Sequence, residues 1–268
     1  MDKVITCKVL GAGGRFGNQV IHYLAAKSLA ERLGAVLQVP ADWKGRLIFD
    51  IPEGPIESEP NHQFEFDALP DQGTVDYFGR IDIAGYFQYQ SAHPYSLQKL
   101  RSWLKIQYRW LERFKWVPNQ RYVAHIRRGD YVAQTNLYCS ILQESYERKF
   151  KELDVSPDEV WWCTEENPQI DTECEELGIG FLPDWMACVN ADILLRSNST
   201  FSLVAGWLNK GKVYSPVIED KVGWQDVDFV EGNWPRCADS RIHQYTKLED
   251  IHLLTAGDLI KPESVQNM

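Results

Sequence analysis

Residues 121–131 read Arg121-Tyr122-Val123-Ala124-His125-Ile126-Arg127-Arg128-Gly129-Asp130-Tyr131, and the reading of this stretch decides the fold. Tyr122, Ala124 and Ile126 alternate with Val123, His125 and Arg127, the two-residue period of a strand, until Gly129 breaks it. Ligands of open α/β sheets gather outside the carboxyl ends of the strands, so Arg127 and Arg128 emerge where a phosphate would be held. A guanidinium is always charged, and its planar fork grips two phosphate oxygens at once. The alternative is a scaffold role, with both arginines tied to Asp130 and to others of the 38 acidic side chains; clustered charges mark sites only as a tendency.

Toward the C-terminus the α/β alternation continues. Helices are expected over 141–153, 169–177 and 183–190, with strands at 159–164, 179–182, 192–196 and 213–215. Ser197-Asn198-Ser199-Thr200-Phe201-Ser202 then hands over to a helix ending at Leu208. Hydroxyl and amide side chains at a strand-to-helix turn, with free N–H donors at the positive end of the helix, make an anion site. Ordinary capping would need only one of them.

Toward the N-terminus, Lys8 to Gly11 reads as the close of a first strand. Gly11-Ala12-Gly13-Gly14-Arg15-Phe16-Gly17 is a glycine-rich turn into a helix over 18–33, ended by Gly34. A strand at 36–39 stops at Pro40, completing the β-turn-α-β opening of a nucleotide fold. Residues 42–76, rich in proline, glycine and acid, read as loops. Residues 77–88 read as strand and loop, and 95–114 as one amphipathic helix before Pro118, where a domain boundary is expected.

A chain of 268 residues suffices for one large or two ordinary domains, and two are expected. With 44% hydrophobic and 25% charged residues it reads as a soluble globular protein. The net charge of −10 argues against nucleic-acid partners and anionic bilayers, so an anionic substrate must be met by local cations. Cysteines 7, 139, 163, 174, 188 and 237 have neither C-x-x-C nor metal-ligand spacing and read as buried or free thiols of a reducing compartment. The opening Met1-Asp2-Lys3-Val4-Ile5 suggests neither a signal peptide nor a membrane anchor. A cytoplasmic location is expected, with peripheral membrane association left open. A glycosylation sequon at Asn198-Ser199-Thr200 falls inside the expected site, where a glycan would block it. The ten tryptophans suit core packing, with sugar stacking as the alternative for some.

No metal is expected. Asp226-Val227-Asp228 spells the D-x-D of metal-dependent sugar transferases, but chance pairs abound among so many acids, and it reads as a solvated loop. A nicotinamide site is disfavoured because the strand at 36–39 ends in Gln38-Val39-Pro40, without the acidic residue that binds a ribose.

Three segments together resemble fucosyltransferases that use GDP-fucose. His125-Ile126-Arg127-Arg128-Gly129-Asp130-Tyr131 resembles the His-x-Arg-Arg-Gly-Asp-Tyr signature of the α-1,2-fucosyltransferases, glycosyltransferase family 11. Ser197-Asn198-Ser199-Thr200-Phe201-Ser202, followed by Ala205-Gly206-Trp207-Leu208, is similar to a second segment of that family. Gly14-Arg15-Phe16-Gly17-Asn18-Gln19 with His22 is similar to the glycine-rich turn of protein O-fucosyltransferases; family 11 usually has leucine near Arg15. Gly85-Tyr86-Phe87-Gln88 is a fourth, less specific match.

The resemblance implies a GT-B-like α/β fold of two Rossmann-type domains facing a central cleft, without a required metal or other cofactor. Residues 1–118 would form the acceptor-side domain and 119–268 the GDP-sugar-binding domain. Arg127 would contact the β-phosphate, supported by Arg128, as the catalytic pair. The donor-binding set would be Gly14, Arg15, Phe16, Gly17, Asn18, His125, Asp184, Asn198, Ser199, Thr200 and Phe201. In it Asp184 would pair with guanine, His125 lie beside the nucleotide, and Ser199 and Thr200 reach phosphate. The implied activity is inverting transfer of L-fucose from GDP-β-L-fucose to a glycan hydroxyl, with O2 of galactose favoured. A protein acceptor, another nucleotide sugar and a non-catalytic carbohydrate-binding protein stay open. No catalytic base is assigned, because some relatives carry a glutamate where this chain reads Val132-Ala133-Gln134-Thr135.

Overall fold

The computed structural model describes residues 3–64, 69–87, 95–115, 121–218 and 222–233. They fall into two compact units that divide between Tyr108 and Arg109. Pro118, Gln88 and Cys237 lie outside the described residues.

The first unit runs β1 (Val4–Thr6), α1 (Phe16–Leu33), β2 (Val36–Gln38), α2 (Gly45–Ile48), β3 (His62–Phe64), α3 (Gln72–Phe78), β4 (Arg80–Ile83) and α4 (Leu97–Trp103). Its four strands are parallel, in the order β2-β1-β4-β3. The first strand is Val4–Thr6, earlier than expected, because the backbone is already turning after it. Val9 O accepts from Ala12 N and Gly13 N, and Lys8 N turns aside to Asp82 Oδ1 at 3.0 Å. Gly34 ends α1 in the left-handed region at φ 58°, where an L side chain would be strained.

The stretch expected as loops, 42–76, holds α2, β3 and the start of α3. The Arg46 guanidinium organises its first part by donating to the carbonyls of Val39, Pro40, Glu53 and Gly54. Asp71 caps α3 by accepting from Thr74 N at 2.8 Å. The single helix expected at 95–114 is instead α4 and α5 (Tyr108–Arg113). Between them Ile106 bridges to Phe49, and Lys105 O and Gln107 N bond to Asp50 N and Ile48 O. These sheet-like bonds replace the helical ones that the apolar periodicity alone would favour.

The second unit contains β5 (Tyr122–Ile126), α6 (Asp130–Ala133), β6 (Cys139–Ile141), α7 (Gln143–Glu152), β7 (Val160–Thr164), α8 (Thr172–Glu176), α9 (Leu182–Asn190), β8 (Ile193–Leu195), α10 (Thr200–Leu208), β9 (Lys212–Val217), β10 (Gly223–Gln225) and β11 (Asp228–Glu231). The main sheet has the order β11-β9-β8-β5-β7, parallel except for β11. A separate parallel pair joins β6 to β10.

Alternation along β5 sends Ala124 and Ile126 into a core with Leu195, Tyr214, Tyr146, Phe150 and Phe229. Each such buried aromatic contributes about 1.5–3 kcal/mol by leaving water. Val123 and His125 point to the other face, where His125 meets α10 and where α9 and α10 pack together. No strand forms at 179–182: Ile179 N bonds Cys174 O and Leu182 N bonds Ile179 O, closing a turn directly into α9. The five described cysteines are buried and unbridged.

Candidate active site

The carboxyl ends of three neighbouring strands each release a charged residue: Glu165 after β7, Arg127 after β5 and Arg196 after β8. Arg127 donates from one guanidinium nitrogen to Glu165 Oε1, and from another to Asp130 Oδ1 at 2.6 Å. Its side chain is nearly buried, and its Nε has no partner. The scaffold alternative therefore describes Arg127 in this conformation, and an incoming anion would have to trade places with a carboxylate. Arg128 forms no ion pair among the described residues. Its guanidinium lies 5.0 Å from the centre of the Trp224 ring and 3.5 Å from Ile141 O.

Gly129 makes this clamp possible. Its φ is 53°, and a Cβ there would lie 2.5 Å from Glu165 Oε2. Gly129→Ala is therefore expected to cost about 1–3 kcal/mol of stability, read by urea unfolding. A variant as stable as the parent would show that the turn can open away from Glu165.

His125 is buried, with Nδ1 at 2.9 Å from both Ser197 Oγ and Ser202 Oγ, and its ring is 5.0 Å from Phe201. Burial first, and then the charges of Arg127 and Arg196, push its pKa down to about 3, so it stays neutral at ordinary pH. It fixes the β8–α10 turn against β5 rather than supplying charge.

That turn is largely satisfied from within. Ser197 Oγ accepts from Ser199 N, Asn198 Nδ2 donates to Cys139 O at 3.1 Å, and Ser199 Oγ caps α10 through Phe201 N. Ser197 and Asn198 are thus buried structural groups, and Asn198 is inaccessible to a glycan. Ser199 acts as the N-cap, while Thr200 and Phe201 are half-buried at the helix mouth. The turn hangs from Arg196, a wholly buried side chain that donates to Ser215 Oγ at 2.7 Å and to Ser197 O at 3.0 Å. Sequence reading missed Arg196 and Glu165, although both obey the strand-end rule that singled out Arg127.

Asp184 sits in the first turn of α9. The preceding Phe181 meets Phe201 edge-on at 6.3 Å, which joins this turn to the His125 cluster. Asp184 Oδ2 accepts from Gln169 N at 3.2 Å, while Oδ1 is buried without a partner. Burial raises its pKa to about 6, against the opposing pull of Gln169, Trp161 and Cys163. Trp161 Nε1 and Gln169 Nε2 pull on this carboxylate without bonding Oδ1, so a ligand that brings better-placed N–H donors would find an acceptor there.

The glycine-rich turn belongs to the first unit. Phe16 and Gly17 are buried, Phe16 stacking on Phe49 at 6.1 Å, so neither offers a side chain to a ligand. Gly14 and Arg15 are exposed and Asn18 is half-buried. Gly14 has φ 72°, and a Cβ there would come within 2.6 Å of Asn18 Nδ2. Gln19 ties the turn down, donating to Gly14 O and accepting from Trp43 Nε1.

Asp226 and Asp228 are not a free loop. Arg148 donates to both Asp226 oxygens at 2.7 and 2.8 Å and lies 3.5 Å from Asp228, and Ser145 also donates to Asp226. This binds α7 to the approach to β11. Among the described residues no three His, Cys, Asp or Glu side chains converge to hold a metal, and no helix is long and apolar enough to cross a membrane.

The second unit thus brings together two arginines after β5, the start of α10 and, near it, a buried carboxylate. No protein-family model matches the chain, and no curated protein matches it in sequence. Solved structures do resemble it. The structure of NodZ α-1,6-fucosyltransferase soaked with GDP-fucose aligns over 87% of this chain and 100% of its own, at 13% identity and a TM-score of 0.52. Fucosyltransferase NodZ from Bradyrhizobium aligns over 87% and 99%, at 12% identity and a TM-score of 0.53, so the fold is one that fucosyltransferases also adopt.

Proposed function

We propose that this chain is an inverting fucosyltransferase of GT-B form, in which residues 119–268 bind GDP-β-L-fucose and residues 1–118 form the acceptor side. The observation that carries the reading is the Arg127-Arg128 pair at the carboxyl end of β5, locked through His125 to the start of α10. The fold shared with NodZ supports it. In the reaction the bond from fucose C1 to the β-phosphate oxygen breaks, and its electron pair leaves with GDP. An acceptor hydroxyl attacks C1 from the opposite face, giving the α-fucoside, and its proton passes late to phosphate or water. Arg128 faces the negative charge that grows on the leaving oxygen, and Arg127 joins it by exchanging a carboxylate for phosphate. Donors placed at that oxygen favour the transition state over the ground state. The favoured acceptor is O2 of a galactoside, and no divalent ion is required.

A second reading, a non-catalytic carbohydrate-binding protein, is favoured by one feature: both guanidinium ends of Arg127 are taken by Glu165 and Asp130. Thermal unfolding with GDP, followed by a transfer assay in EDTA, separates the two. GDP at ~100 times its Kd should stabilise by about 2.7 kcal/mol, and NAD should not. Transfer should survive EDTA. Absence of stabilisation by GDP would select the binding protein, and loss of activity restored by magnesium would overturn metal independence.

A further inference from the structure

The second unit carries an exposed aromatic and aliphatic platform beside its two arginines. Trp224 is 46% exposed, Leu137 54% and Val132 39%. Tyr131 and Tyr138 stack face to face, 4.5 Å apart with planes 4° off parallel. Each arginine lies on one of these rings: Arg127 is 5.1 Å from the Tyr131 centroid and Arg128 is 5.0 Å from that of Trp224. The platform is therefore continuous with the anion site. It is also preformed, because Gly223 N bonds both Thr135 O and Tyr138 O and so pins the 134–138 turn to β10. Exposed Gln134 and Asn136 flank Leu137 with amide donors and acceptors.

We propose that this platform is the acceptor-sugar subsite, with Trp224 and Leu137 receiving the apolar face of a galactopyranoside and Gln134 and Asn136 its hydroxyls. The proposal rests on the transferase reading but departs from it in one respect, placing the acceptor-sugar contact in the second unit instead of on residues 1–118. Aromatic faces take up the C–H face of a sugar, and a ring backed by a cation is held in place for that contact. Apolar side chains interleaved with amides over so short a turn suit a sugar better than a second protein copy, whose stable interfaces bury about 800 Å² per partner.

The test compares the parent with Trp224→Ala, Trp224→Phe and Leu137→Asn, using GDP-fucose and methyl β-D-galactopyranoside. Leu137→Asn changes neither of the rings that lie against the two arginines, so it keeps the outcome readable if Trp224→Ala disturbs Arg128. Trp224→Ala should raise the acceptor KM about tenfold and Leu137→Asn about threefold, with Trp224→Phe restoring most of the loss. The GDP Kd of Leu137→Asn should stay within about twofold of the parent. An unchanged acceptor KM in both Trp224→Ala and Leu137→Asn would overturn the proposal. So would a change of oligomeric state in sedimentation without a change in KM, which would assign the face to a second copy. Failure of the parent to bind GDP would instead sink the transferase reading. The platform is then judged by saturation-transfer NMR with the galactoside alone: loss of transfer in Trp224→Ala sustains it, and no transfer to the parent overturns it.

Discussion

Arg127→Ala is expected to lower turnover with GDP-fucose by 10²- to 10³-fold or more, since removing one donor to a transition-state oxyanion costs about 2.7–4 kcal/mol. The local electrostatics make the loss larger than deletion of a single donor. Arg127 neutralises Glu165 and Asp130 together, and without it two carboxylates would stand beside the departing diphosphate. Lysine should not rescue, because an ammonium cannot span two acids and still present a planar fork. The measurement is kcat and kcat/KM for the donor, beside thermal unfolding to show that the variant folds. Both partners of Arg127 retain contact with water, so the ion pairs add little to stability and the fold should persist. Undiminished turnover would return Arg127 to the scaffold role that its present contacts allow, and would leave Arg128 as the cation that meets the phosphate.

The features legible in the sequence were those set by local rules. The period of β5, the hydroxyl cap of α10 and the left-handed Gly34 after α1 each depend on a few neighbouring residues, and each appears where expected. Pairings between distant segments were not legible. Cys139–Ile141 joins Gly223–Gln225 as a separate ladder, and neither three-residue run carries a period long enough to announce a strand. The helix expected at 95–114 splits because Ile106 finds a partner in Phe49, which no window along the chain can reveal. At the site, Glu165 and Arg196 were hidden among many charges, although their positions after β7 and β8 repeat that of Arg127. Four polar residues at the α10 turn looked like an excess over capping. The structure accounts for most of them internally, because a turn packed against His125 and β6 must satisfy its own buried polar atoms.

Asp184→Asn is expected to weaken GDP binding by 10²- to 10³-fold and to flatten its pH dependence. In the proposed complex the guanine N1–H and N2–H groups donate to this carboxylate, filling the buried Oδ1 that lacks a partner. Hydrogen bonds to a charged group contribute about 1.5–3 kcal/mol each, and the loss sits at the lower end of two such bonds because the asparagine amide keeps one acceptor oxygen. Only the ionised carboxylate offers both oxygens and a full charge to the two N–H groups, and burial has raised its pKa to about 6. GDP affinity should therefore rise with pH through about 6 and level off above 7. At pH 5 only about a tenth of the molecules would carry the charge, and the Kd would be about tenfold weaker. Without nucleotide the sign reverses for stability. The folded pKa lies above the ordinary 3.8, so the folded state holds the extra proton, and this group's contribution is lost as pH climbs from about 4 to about 6. His125 acts in the opposite direction in that window: its folded pKa of about 3 lies below the ordinary 6.5, so the unfolded chain holds the extra proton and stability rises with pH until about 6.5. Calorimetric titration of GDP and of inosine diphosphate, which lacks the 2-amino group, from pH 5 to 8 tests the assignment. The parent should prefer GDP increasingly as pH rises, and Asp184→Asn should show neither the preference nor the slope. A variant that keeps both would place the base edge elsewhere and leave Asp184 as a group that serves only Gln169.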